Sequence, residues 1–140
     1  MGRLDDHGAL YNLTNLLRPR AKDRAGVGEV LSILGLSSQT DRTVEGLSGG
    51  QKQRVALARA LWRGGDVLLG DEPVSALDET QGSEVLNHIA ARFDRVVLAL
   101  HDVDQALGFA TRVVGLKDGR VVMDAAPAEI ARARIEALYA

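Results

Sequence analysis

The stretch LSGGQKQRVALARAL, Leu47 to Leu61, constrains the fold of this chain more than any other. Ser48 and Gln51 have the spacing of a capping box, in which a serine oxygen and a glutamine side chain satisfy the orphan amides that open a helix. Val55, Ala58, Leu61 and Trp62 then fall along one face of a helix from about Gly49 to Trp62, which Arg63-Gly64-Gly65 ends. A plain N-cap accounts for Ser48 and Gln51 but not for the paired glycines between them. Gly49 and Gly50 leave the first amides unshielded and let a phosphate approach the positive end of the helix.

A second phrase, VLLGDEPVSALD, runs from Val67 to Asp78. Val67-Leu68-Leu69 reads as a buried strand with Asp71 and Glu72 at its C-terminal end, and a helix follows from about Asp78 to Arg92. Val96 to Leu100 reads as a second buried strand that ends in His101, and another helix begins near Asp102. Strand, helix, strand, helix is the rhythm of a mostly parallel sheet with helical cover, in which ligands collect at the carboxyl ends of the strands. Thr111 to Leu116 and Arg120 to Met123 form a hairpin across Lys117-Asp118-Gly119, and residues 127 to 139 close the chain as one or two helices. Upstream, Gly28 to Leu36 gives a short helix closed by Gly35, and 37 to 46 is a polar connection. Leu10, Leu13, Leu16 and Leu17 recur at helical spacing until Pro19, within an ambiguous segment 1 to 24.

The residues at the strand ends can carry chemistry. A carboxylate such as Asp71 at a strand tip can hold a magnesium ion, directly or through water. An adjacent glutamate, here Glu72, can orient and deprotonate an attacking water, although a solvated acidic turn would equally explain an isolated Asp-Glu pair. Asp78 is suited to cap the helix after it, and capping alone could account for it. His101 could hydrogen-bond a phosphate or a water, or be a satisfied structural histidine. His7 and His88 have no partner at metal-ligand spacing and read as surface residues.

Composition narrows the function classes. With 17 basic against 19 acidic residues the net charge is −2, and no bulk field favours a polyanion. Tyr11, Trp62, Phe93, Phe109 and Tyr139 are too scattered for a base-stacking platform, so no nucleic-acid partner is expected. The absence of cysteine excludes disulfides, thiolate metal sites and a cysteine nucleophile. No window approaches the roughly 18 apolar residues that span a bilayer.

Taken together, LSGGQKQRVALARAL resembles the signature motif of the ATP-binding cassette ATPases. VLLGDEP resembles their Walker B strand, VSALD their D-loop and LALHDVDQAL their switch-histidine segment, in the right order over residues 47 to 105. The segment LHDVDQALGFATRVVGLKDGRVVMDAAPAEI looks most like the ATPase subunits of phosphonate importers. The resemblance implies an α/β fold, a partial P-loop NTPase with part of the helical subdomain over residues 1–62 and the C-terminal part of the ATPase core over 63–140. It implies that Ser48, Gly49 and Gly50 contact the γ-phosphate of ATP held mainly by a second subunit, with Gln51 in support. Asp71 would serve Mg2+, Glu72 would be the general base, Ser75 to Asp78 would communicate across a dimer, and His101 would sense the γ-phosphate. Gly70 stands where an alanine or larger residue is more usual. Partners would be a second ATPase subunit and membrane permease subunits, and the location cytoplasmic, peripheral on the inner face of the membrane.

A phosphate-binding loop of the form G-x-x-x-x-G-K-[ST] does not occur in these residues. Lys22, Lys52 and Lys117 follow Ala21, Gln51 and Leu116, so there is no Gly-Lys dipeptide. The aromatic adenine-stacking segment and the glutamine loop are missing as well. The resemblance therefore implies the C-terminal half of a subunit whose N-terminal half carries Walker A and the P-loop strand, inactive alone. Loss of that strand should leave an unpaired edge and uncovered apolar surface, favouring self-association or pairing with the complementary half. Another reading is a truncated, non-catalytic binding or regulatory module derived from such an ATPase. A cassette of the DNA-repair or chromosome-maintenance type is disfavoured by the lack of sustained heptads and of cysteines.

Overall fold

The structure, a computed structural model, describes residues 21–139. The leucine pattern of residues 10–17 and its stop at Pro19 lie outside the described residues. The chain divides between Ala99 and Leu100 into two compact units.

In the first unit, α1 spans Ala21–Ile33. The helix is already formed at Ala21, the first described residue, ahead of the expected Gly28, because Lys22, Arg24 and Ala25 are good helix formers and outweigh Gly26 and Gly28. Its end is a Schellman motif. The Leu36 amide donates to the Leu31 carbonyl (2.7 Å) and the Gly35 amide to Ser32 (3.0 Å), with Gly35 at φ +64°. The guanidinium Nη1 of Arg54 donates to the Leu34 carbonyl at 3.0 Å, which satisfies another helix-end acceptor. The residues after the helix, Leu34 and Leu36, are completely buried. Two short 3-10 turns, Ser37–Gln39 and Val44–Gly46, lead to α2, Gly49–Arg63.

Helix α2 buries Leu57, Ala58 and Leu61. Leu57 joins the expected face, while Val55 and Trp62 are only half-buried. Gly64 at φ +68° ends the helix, its amide donating to Ala60. Trp62 explains the glycine inside α1. A Cβ placed on Gly26 would stand 2.5 Å from Cζ3 of the indole, so the ring lies directly over bare backbone. Gly26→Ala is therefore expected to destabilise the chain. Overpacking costs about 1–3 kcal/mol against a helix-propensity gain of about 1 kcal/mol. A urea midpoint that stays put or rises would show that the indole yields freely.

Strand β1, Val67–Asp71, pairs in parallel with β2, Arg95–Ala99, and α3, Glu79–Arg92, connects them. The register sets Leu68 beside Val96 and Leu69 beside Val97. Burial of both strands, expected from their apolar runs, is not what the fold shows. Leu68 is 8% exposed, but Leu69 is 74% and Val97 62% exposed. Only one face of this two-stranded sheet is covered by the described residues, so the strands follow the period-two pattern of a half-covered sheet. On the helix side, Val85, Leu86 and Ile89 of α3 are essentially inaccessible, and Phe93 closes the helix in a buried position.

The second unit begins with α4, Val103–Phe109, capped by Asp102, whose carboxylate accepts from the Gln105 amide at 2.9 Å. Strands β3, Val113–Lys117, and β4, Arg120–Ala125, form an antiparallel hairpin. Asp118 at φ +51° and Gly119 at φ +72° give the turn two successive left-handed residues, the conformation that matches strand twist. The sheet of this hairpin is separate from β1–β2. The described residues thus carry one parallel strand pair with helical cover and an antiparallel hairpin, a part of the expected α/β fold. Arg112 grips Asp124 through Nε (2.7 Å) and Nη2 (2.6 Å) on the exposed face. This fork holds the Asp124 carboxyl below its ordinary pKa and raises that of Arg112. After a 3-10 turn at Pro127–Glu129, α5, Arg132–Tyr139, packs on β3. Gly115 makes room for it, since a Cβ there would come within 3.0 Å of Leu138. No described helix is long and apolar enough to cross a membrane.

Candidate functional site

The helix start at Ser48 is the capping box that its sequence suggests. The Ser48 Oγ accepts from the Gln51 amide at 3.3 Å, and the Ser48 amide donates to Gln51 Oε1 at 2.9 Å. With the Lys52 amide on the Ser48 carbonyl at 2.9 Å, helix geometry leaves the amides of Gly49 and Gly50 as the orphan donors of the first turn. Among the described residues a Cβ on Gly49 would meet nothing within 4 Å, whereas at Gly50 it would meet the Ala76 methyl at 3.1 Å. The two glycines therefore differ. Gly49 leaves an open approach to the helix end, and Gly50 additionally admits the loop after β1.

That loop starts from Asp71, the last residue of β1, and Glu72, both exposed. Glu72 takes a left-handed conformation, φ +45°. This is costly for a residue with a Cβ, about 1–2 kcal/mol, and is sustained by hydrogen bonds on both sides. The Glu72 amide donates to the Ala99 carbonyl at 2.9 Å, extending the β1–β2 ladder past the last strand residue. The Glu72 carbonyl accepts from Gln53 Nε2 at 2.7 Å, from Ser75 Oγ at 3.0 Å and from the Ser75 amide at 3.2 Å. Pro73 and Val74 beneath it are buried. The Leu77 amide then donates to Val74, and Asp78 caps α3 by accepting from the Gln81 amide at 2.9 Å. Gly70 fits the same crowding, because a Cβ there would lie 2.8 Å from Leu98 Cδ2 and 3.3 Å from Pro73 Cγ.

The first unit thus brings together Ser48, Gly49, Gly50 and Gln51 on α2, the tip of β1 with Asp71 and Glu72, and the loop to Asp78. The tie is made by Gln53, and a side chain at Gly50 would crowd Ala76 of the loop. His101 belongs to the second unit, exposed and immediately before the Asp102 cap. Gln53 is the residue that sequence reasoning missed. Its only signal was a polar, amide-bearing side chain inside an amphipathic helix, two positions after Gln51.

Chemically, the arrangement offers amide donors at a helix start to an anion and two carboxylates at the neighbouring strand end. Among the described residues no group of three or more His, Cys, Asp or Glu could hold a metal. Magnesium takes hard oxygen donors, one or two carboxylates together with substrate phosphates and waters. Asp71, exposed at a strand tip, is an oxygen donor of the right kind.

Known proteins resemble this chain over most of its length. The family model described as ABC transporter matches residues 4–75. The chain is 40% identical to the phosphonates import ATP-binding protein PhnC 1 of Pseudomonas syringae pv. syringae (strain B728a), over 99% of the chain and 53% of that protein. It is also 40% identical to the phosphite import ATP-binding protein PxtA of Stutzerimonas stutzeri, over 99% of the chain and 51% of that protein. Among solved structures, the dimeric bacterial ABC transporter cassette MJ0796 superposes with a TM-score of 0.64 at 31% identity, covering 77% of this chain and 49% of the cassette. The same cassette in a post-hydrolysis state bound to ADP and Pi matches equally well, with a TM-score of 0.64. The chain spans about half the length of the curated relatives it matches.

Proposed function

This chain belongs to the ABC transporter family, and from that premise we propose that it supplies the signature and Walker B half of an ATP-hydrolysing subunit that powers phosphonate-type uptake across a membrane. In this reading residues 1–62 contribute to the helical subdomain and 63–140 to the ATPase core. The observation that carries the proposal is the tie that Gln53 makes between the helix that starts at Ser48 and the Glu72 loop. This tie supports a reading in which the start of α2 binds an anion while the carboxylate at the neighbouring strand tip serves the reaction. The names of PhnC and PxtA support the phosphonate or phosphite class of cargo.

Ser48, Gly49 and Gly50, backed by Gln51, would direct hydroxyl and amide donors at the γ-phosphate of ATP held by a second ATPase subunit. Glu72 would take a proton from the attacking water, and His101 would donate to the γ-phosphate. Ser75 to Asp78 would face the second subunit. Magnesium, when bound, neutralises charge on the β- and γ-phosphates, and Asp71 is the ligand this chain offers it. Permease subunits would recruit the assembly to the cytoplasmic face of the membrane.

Without a Gly-Lys-Ser/Thr loop, the 140 residues alone are expected to turn over no ATP. The test is a chimera in which this chain replaces the matching half of the Pseudomonas syringae relative. Mg·ATP hydrolysis by the chimera, beside a silent isolated chain, is the expected result. A folded chimera that binds ATP but does not hydrolyse it would sink the proposal. Turnover by the isolated chain would show that phosphate is held by other residues.

A further inference from the structure

We infer that Gln53 is a positioning residue for Glu72, its side-chain amide fixing the main chain so that the Glu72 carboxylate is aimed. The inference rests on the reading of Glu72 as the general base. Of the donors that converge on the Glu72 carbonyl, the Ser75 hydroxyl and amide belong to the same loop and move with it. Gln53 Nε2, at 2.7 Å, reaches in from α2, a different element. The same nitrogen lies 3.1 Å from Ser75 Oγ, so it binds the loop at two points.

The direction of the Glu72 Cα–Cβ bond is set by the two peptide planes that flank its α-carbon. The plane before it is pinned to β2, through the amide on the Ala99 carbonyl. The plane after it is pinned to α2, through Gln53. A left-handed glutamate does not hold this conformation unaided, because sterics favour φ below zero. Loss of Gln53 removes the hydrogen bond that ties the second plane to a different element, and the Ser75 donors that remain on the Glu72 carbonyl move with the loop. The helix that starts at Ser48 thus also sets the aim of the carboxylate at the strand tip.

The test compares the native chain with Gln53→Met, which keeps the length of the side chain but has no donor. Should that variant fail to fold, Gln53→Glu, isosteric and polar, carries the same test. In the isotopically labelled 140-residue chain, the variant is expected to shift the Glu72 carbonyl 13C and α-carbon resonances. Exchange of the Ser75 amide should speed up by roughly tenfold, the effect of losing about one net hydrogen bond, while the amides of Leu86 and Ile89 keep their protection. In the chimera, kcat should fall by roughly 10- to 100-fold, as expected for a misplaced catalytic group, with KM for ATP unchanged. Unchanged Glu72 resonances and Ser75 exchange would overturn the inference, as would uniform loss of protection or a rise in KM with kcat intact. Full turnover by Glu72→Gln in the chimera would instead remove the general-base reading, and the NMR response to Gln53→Met would still decide whether Gln53 holds the loop.

Discussion

Replacing Glu72 with glutamine in the chimera is expected to lower ATP turnover by about 10²- to 10⁴-fold, the range for loss of a positioned general base. Glutamine has the same shape, and it keeps the hydrogen bonds made by the main-chain amide and carbonyl of residue 72. The substitution should therefore leave the loop in place and remove only the capacity to accept a proton. Binding of Mg·ATP, followed by calorimetry, should persist, because the first turn of α2 and the Asp71 carboxylate are untouched. Turnover within a factor of two of the unsubstituted chimera would mean that another group handles the proton. Loss of ATP binding together with turnover would mean that Glu72 acts on the ground state of the complex rather than on the chemical step.

Ile89→Ala should have the largest effect on stability. Ile89 is completely inaccessible in α3, beside Val85 and Leu86 on the same helix face. Truncating such a side chain costs about 2–5 kcal/mol through lost transfer energy and the cavity left behind. Alanine's better helix propensity returns less than about 1 kcal/mol. Against a total stability of the order of 5–15 kcal/mol for a typical domain, the variant should melt far below the native chain in a circular-dichroism scan. A loss under about 1 kcal/mol would show that the surroundings of α3 collapse to fill the space. The site should suffer along with the core, since α3 joins β1 to β2 and Ala99 of β2 pins Glu72.

The features legible in the sequence are those decided by chemistry within a few residues. Ser48 with Gln51, Asp78 and Asp102 announce helix starts because their side chains cap amides three positions on. Gly35 and Gly64 announce helix ends, and Asp118-Gly119 the hairpin turn, because the backbone there is left-handed. The exposure of one face of β1 and β2 is not legible, because an apolar run cannot say what lies over a sheet, and Leu69 and Val97 face outward. The onset of α1 was hidden by Gly26, whose reason lies on another helix, in Trp62. Neither the left-handed backbone of Glu72 nor the bond from Gln53 leaves a local trace. Both depend on partners 19 or more residues away.

The placement of that indole over Gly26 has an optical consequence. Trp62 is the only tryptophan in the chain, so its emission comes from one place, the cleft of about 140 Å³ lined by Val27, Val30, Leu31, Val55 and Ala58 between α1 and α2. Any event that parts the two helices wets the ring and moves its fluorescence to longer wavelength. An anion that docks at Ser48, at the far end of the same helix, leaves the colour unchanged unless α2 itself moves against α1. The chain thus carries an intrinsic dye that distinguishes simple occupancy of the helix end from displacement of the helix, with no label added.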